Sequence, residues 1–287
     1  LALQLGRLGL GVTFSDTSIV ECNSEATDCL TLGQGDEGTT TTIRTARLAV
    51  GYAFLDGDLV AGASAFVPSV VFDISGDSSA SPNVTGGTIE LGVLYRPAGE
   101  RYRVGAVWRP RSRSDLDVAG AGQVIAGRVV PEQLLSPWVL GIGGAYAFGT
   151  RPMNLTPTFG DSALHGDRYD SFARGHYQVS ADLILIGSES SAVGLDGWFE
   201  QEAQASGRDL GLAVRLGLEG EVIPDLLIAR LGSYLEPSRF AETSSRLHGT
   251  GGLDLRLFEF IWVWRAGVAF DFSRDFDQIT LSAGFWH

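Results

Sequence analysis

The chain has 287 residues, 44% of them hydrophobic, and a formal charge of −13 at pH 7. That length suits one large domain, and no composition shift divides it. No stretch approaches the roughly 18–20 consecutive apolar residues of a spanning helix, and no basic surplus is present to replace phosphate counterions, so a helical membrane protein and a non-specific nucleic-acid binder are both excluded.

Leu1 already begins a strand-like pattern, so the sequence reads as a mature or trimmed chain with no visible signal peptide. The apolar phase then passes from Leu1, Leu3 and Leu5 to Leu8, Leu10 and Val12, which predicts a β-bulge or local curvature near Gly6-Arg7. Cys22 and Cys29 sit in an acidic, polar stretch. Their spacing fits a short loop disulfide in an oxidising compartment; two free thiols are the alternative, and two cysteines alone lack the usual four ligands of a metal site.

From residue 47 onward, period-two alternation recurs. Leu48, Val50, Tyr52 and Phe54 oppose Arg47, Ala49, Gly51 and Ala53, and the pattern breaks at Asp56-Gly57, a hairpin signal. A strand from about Leu59 is followed by one with Ile89, Leu91, Val93 and Tyr95 set against Glu90, Gly92 and Arg96. After the turn at Pro97-Ala98-Gly99-Glu100, Tyr102, Val104, Ala106 and Trp108 oppose Arg103, Gly105, Val107 and Arg109. Further strands are predicted around Trp138–Phe148, Tyr177–Leu185, Leu210–Glu219, Leu227–Glu236, Leu253–Leu257 and Ile261–Phe272, and the last has Ile279, Leu281, Ala283 and Phe285 on one side. Side chains alternate between strand faces, so each strand is apolar on one side and polar on the other.

Short connections near Leu55, Pro97, Ile223 and Glu259 alternate with longer polar ones. This pattern leads to an all-β expectation: an antiparallel transmembrane β-barrel of about 12 strands, or about 14 if 149–171 contributes two more. Its location would be the bacterial outer membrane, its surroundings lipid, and its state a monomer. The inward set would be Glu90, Arg103, Arg109, Asp182, Arg215, Glu219, Arg230, Asp254, Arg256, Arg265 and Asp271, joined by Glu236. Charges confined in a lumen must be paired or hydrated, so ion pairs are expected between strands carrying Arg230 and Asp254, or Arg256 and Arg265. They would either stiffen the wall or form a selectivity network.

The runs Leu91-Gly-Val-Leu-Tyr-Arg-Pro97, Tyr102-Arg-Val-Gly-Ala-Val-Trp-Arg-Pro110 and Val130 to Gly149 carry a resemblance to the outer-membrane long-chain fatty acid transporter family, FadL-like. The strand Arg230-Leu-Gly-Ser-Tyr234 after Pro224-Asp225 is similar to it as well. The resemblance implies uptake of hydrophobic small molecules such as fatty acids, with no cofactor; no ligand-contacting residue is carried over from it. A passive diffusion pore, or a structural barrel without transport, is the alternative.

No catalytic constellation emerges, and the chain is read as a non-enzyme. His248-Gly-Thr-Gly-Gly252 lacks an accompanying nucleophile elbow and reads as a glycine-rich loop before a strand. His165 lies in a polar loop, His287 is terminal, and His176 and Asp182 would stand about 20 Å apart on a regular strand. Neither a catalytic group nor a metal site is assigned.

Overall fold

A computed structural model describes residues 2–22, 38–74, 83–115, 124–125, 128–129, 133–149, 153–154, 177–188, 210–224, 226–238, 244–260, 262–274 and 276–286. The strands are β1 (Ala2–Leu5), β2 (Leu8–Cys22), β3 (Gly38–Phe54), β4 (Leu59–Ile74), β5 (Asn83–Thr85), β6 (Thr88–Tyr95), β7 (Tyr102–Arg109), β8 (Ser112–Asp115), β9 (Val124–Ile125), β10 (Arg128–Val129), β11 (Gln133–Ser136), β12 (Val139–Phe148), β13 (Tyr177–Ile186), β14 (Gly211–Ile223), β15 (Leu227–Glu236), β16 (Arg246–Phe260), β17 (Trp262–Ser273) and β18 (Phe276–Trp286).

One antiparallel sheet dominates, in the order β1-β2-β3-β4-β6-β7-β12-β13-β14-β15-β16-β17-β18, with β5 added beside β4. Two small pairs, β9 with β10 and β8 with β11, stand apart from it. Neighbours in sequence are neighbours in the sheet, because each strand returns through a turn beside the one before it. The Asp56-Gly57 signal marks such a turn. Phe54 pairs with Leu59, and the loop between them takes up left-handed backbone at Leu55 (φ 48°) and Asp56 (φ 53°) as well as at Gly57. Arg7 Nη2 donates to Asp56 Oδ1 at 2.7 Å and holds that loop against the first hairpin.

The sheet is open, and this overturns the barrel. Among the described residues β1 pairs with β2 and β18 with β17, and no ladder joins the two ends. The reason lies at Gly6-Arg7, where the change of apolar phase is neither a bulge nor a curve. It is a two-residue hairpin: Leu5 faces Leu8 across it, and Gly6 supplies the positive φ of 59°. The short return strand β1 occupies the edge of β2 at Leu8–Gly11, the edge that an all-antiparallel closure onto β18 would need. It also makes 13 strands along the path, and with an odd number the two end strands run parallel to each other.

Without closure the described strands enclose no lumen. The expectations built on one are corrected together: the transmembrane barrel of 12 or 14 strands, the FadL-like membership, uptake of hydrophobic molecules or passive diffusion through a pore, the outer-membrane location and the lipid partner. No described helix is long and apolar enough to cross a membrane.

The face assigned to each strand side by alternation follows directly from the registers. The apolar set Leu48, Val50, Tyr52 and Phe54 of β3 continues across the sheet through Ile89, Leu91 and Val93 of β6 to Ile279 and Leu281 of β18. This face is the exposed one: Phe14 keeps 79% of its surface, Leu231 64% and Leu281 80%. The charged face is the more covered one, with Glu90 half-buried between exposed Ile89 and Leu91. Apolar burial among the described residues is confined to small contributions such as Ala147, Ala213 and Ile228, so the sheet is held chiefly by its ladders and its polar face.

Contiguous apolar surface of this extent is not left to water by folded proteins, since covering one large side chain is worth about 1.5–3 kcal/mol. In plain aqueous buffer the purified chain is therefore expected to scatter light as a species heavier than one chain. Leu218→Glu combined with Leu231→Glu, opposite each other on β14 and β15, should lower that mass. A wild-type monomer under those conditions would contradict the account of this face.

Candidate functional site

The polar face holds two recesses that meet at β13. One, of about 570 Å³, lies over β13 to β18; the other, of about 730 Å³, lies over β4, β6, β7, β12 and β13. Gln178, Ser180 and Asp182 border both. These positions share a face because alternate residues of one strand point the same way, and small residues at the neighbouring positions keep the floor low. Gly143 sits opposite Asp182, and Gly267 opposite Asp254. A Cβ at either glycine would run into the facing carboxylate.

Arg230 organises the first recess. Its Nε donates to Glu219 Oε2 at 2.6 Å, and its Nη1 donates to the Asp254 carboxylate. One planar guanidinium thereby ties β14, β15 and β16 together, a geometry that lysine's point charge would not reproduce. Burial pulls the Arg230 pKa down, but its hydrogen bonds to Asp254 and Glu219 and the attraction of their charges outweigh it and leave the guanidinium more firmly charged than usual.

A second cluster lies two rows further along, beyond Gly232 and Thr250. Glu236 and Tyr234 of β15, His248 of β16 and Asp271 of β17 join in one network. Tyr234 Oη donates to Asp271 Oδ2 at 2.7 Å, and the Tyr234 ring stacks on His248 with centroids 4.2 Å apart. His248, only 2% exposed, sets Nδ1 2.8 Å from Asp271 Oδ1 and Nε2 3.0 Å from Glu236 Oε2. With one proton the ring donates to one of these carboxylates; with two it donates to both. Arg215 lies over the other part of this cluster, its guanidinium carbon 5.6 Å from the Tyr234 ring centroid, and faces Asp182 in register.

The other expected inward charges also lie on this open face, but not all meet as expected. Arg256 and Arg265 stand directly opposite each other, and Arg256 Nη2 instead donates to Glu259 Oε2 at 2.7 Å. Burial lowers the Arg265 pKa; Asp254 opposes that shift, while Arg256 and Arg230 add to it. Arg103 borders the second recess, and Glu90 and Arg109 lie near its far end, beside Arg47 of β3. Cys29 lies outside the described residues, as do His165, His176 and His287, and Cys22 ends β2. Among the described residues no group of histidine, cysteine and carboxylate side chains is arranged to hold a metal ion.

His248 was missed from the sequence because its glycine-rich surroundings read as a loop. The available signal was phase: Arg246, His248, Thr250, Gly252, Asp254 and Arg256 share one parity, and the strand runs unbroken through them. Asn154 was missed for a different reason. Its amide donates to the carbonyls of Pro97 and Tyr102, pinning the β6-β7 turn from some 50 residues away in sequence.

Two changes test this wiring. Arg230→Gln should cost about 1–2 kcal/mol in urea unfolding, between the worth of an exposed pair and that of a buried one, and adding Glu219→Gln should recover part of the loss. Tyr234 has its pKa raised by burial and by the hydrogen bond to anionic Asp271. The unfolded phenol, near pH 10, loses its proton before the folded one, so this stabilisation is complete below about pH 10 and falls away above it. Tyr234→Phe should therefore flatten the decline of stability between about pH 10 and pH 12, and an unchanged slope would remove Tyr234 from the network.

No family model matches the chain, and no curated protein matches it.

Proposed function

We propose that this is a non-catalytic binding protein whose polar face takes a small, uncharged molecule rich in hydroxyl or amide groups, such as a short saccharide, in the recess over β13 to β18. The carrying observation is the division of labour inside that recess. Several of its charged groups already have protein partners: Arg230 with Glu219 and Asp254, Asp271 with Tyr234 and His248. Gln178, Ser180, Thr250, Gln278, Thr280 and Ser282 line the same space with neutral donors and acceptors. Its volume of about 570 Å³ suits a small-molecule ligand, and ion pairs already formed hold the walls in place before anything binds.

The non-catalytic part of the reading rests on His248 and Tyr234. A general base has to reach a proton on its substrate, yet both ring nitrogens of His248 face protein carboxylates and the Tyr234 hydroxyl is committed to Asp271.

Ligand-observed NMR and calorimetry with a panel of neutral mono- and disaccharides test this. Saturable binding is expected, with the sugar recovered unchanged, and Thr280→Trp on exposed β18 should abolish it by filling the recess. Failure of the whole panel at millimolar concentration would overturn the binding reading, and conversion of any sugar would overturn the non-catalytic part.

A further inference from the structure

Away from that recess, two arginines on β3 and β7 raise a separate question of charge. Arg47 of β3 lies directly opposite Phe66 of β4. Arg109 of β7 reaches the same ring from the other side of β6, and the two guanidinium carbons stand 5.2 and 5.7 Å from its centroid. Two cations are thus brought to one aromatic side chain, and the ladders of β3, β4, β6 and β7 set their positions. Against them stands one carboxylate, Glu90, with Oε1 3.6 Å from Arg47 Nη1. The charges acting on Arg109 are the attraction of Glu90 and the repulsion of Arg47. Arg109 Nε is buried and, among the described residues, has no hydrogen-bond partner.

We propose that Arg47 and Arg109 form a binding site for an oxyanion, the carboxylate or phosphate group of a small molecule, seated beside Phe66 with Glu90 as its internal competitor. Guanidinium pairs suit such groups because their planar forks match two oxygens at once. An incoming anion would balance the second positive charge and reduce the repulsion between the two arginines. Elsewhere on this face Arg230 already has two carboxylates; here the ratio is reversed. The proposal does not depend on the saccharide reading, since it concerns other strands and an anionic rather than a neutral ligand.

The probes are inorganic phosphate and acetate, titrated separately into the full chain at low ionic strength and followed by calorimetry and by phosphorus or carbon NMR. Saturable binding of at least one is expected; preference for phosphate points to a phosphorylated ligand and preference for acetate to a carboxylic acid. Arg109→Gln and Arg47→Gln should each weaken it at least tenfold, whereas Arg7→Gln, at the distant hairpin, should leave it unchanged. Glu90→Gln should tighten binding severalfold, a gain that a purely structural role for these residues would not produce and that survives as a test even if an arginine variant folds poorly. No saturable binding in the wild type, equal binding in folded Arg109→Gln, or weaker binding in Glu90→Gln would each overturn the proposal.

Discussion

The antiparallel ladder runs across the main sheet, and among the described residues its register shifts at just two places, between Glu221 and Ile223 and between Arg256 and Phe258. Everything on the polar face depends on that continuity. A slip of one residue would turn a strand's entire polar set to the opposite side. Arg230 reaches Glu219 because the two are paired across β14 and β15, and Tyr234 stacks on His248 because they are paired across β15 and β16. The shift at Arg256 has the opposite effect. It lies where two like charges face each other, and there Arg256 turns to Glu259 on its own strand.

Because the ladder satisfies the backbone, the side chains are free to make two chemically different surfaces. One is almost wholly apolar and exposed; the other gathers carboxylates and guanidinium groups into half-buried contact. That sidedness is the reverse of a soluble sandwich, where the apolar side meets a second sheet. Charged pairs at partial exposure are individually modest, but a fork such as Arg230 spans three strands, so it opposes sliding of any one of them. The glycines opposite Asp182 and Asp254 matter for the same reason: they leave room for carboxylates to stand upright between strands.

The two proposed sites differ in charge balance rather than in fold. Over β13 to β18 Arg230 and Asp271 are already engaged by protein partners, and neutral hydroxyls and amides line the space beside them. Around Phe66 two guanidinium groups share one carboxylate, and Arg109, with burial as the larger effect and Arg47 adding to it, has its pKa held below the usual arginine value. The same sheet therefore presents one region where neutral hydrogen-bonding groups stand beside partnered charges and another where guanidinium groups outnumber carboxylates.

Strand positions and faces were legible in the sequence because period-two alternation is a local property; Leu91 and Glu90 declare their opposite sides without reference to any other strand. The hairpin at Gly6-Arg7 was visible as a change of phase, but phase does not distinguish a bulge from a reversal, and from that one ambiguity came the mistaken closure. The inward charges were nameable and one pairing, Arg230 with Asp254, was legible as well, but the rest were not: Arg256 and Arg265 share a face but repel, whereas Arg47 and Arg109, from strands far apart in the chain, converge on Phe66. The sequence by itself determined which residues form strands and which side each one shows, since backbone geometry alternates neighbouring side chains. Only the tertiary structure decided whether the sheet closes, which charges pair and what His248 touches, since those depend on register between strands far apart in the chain.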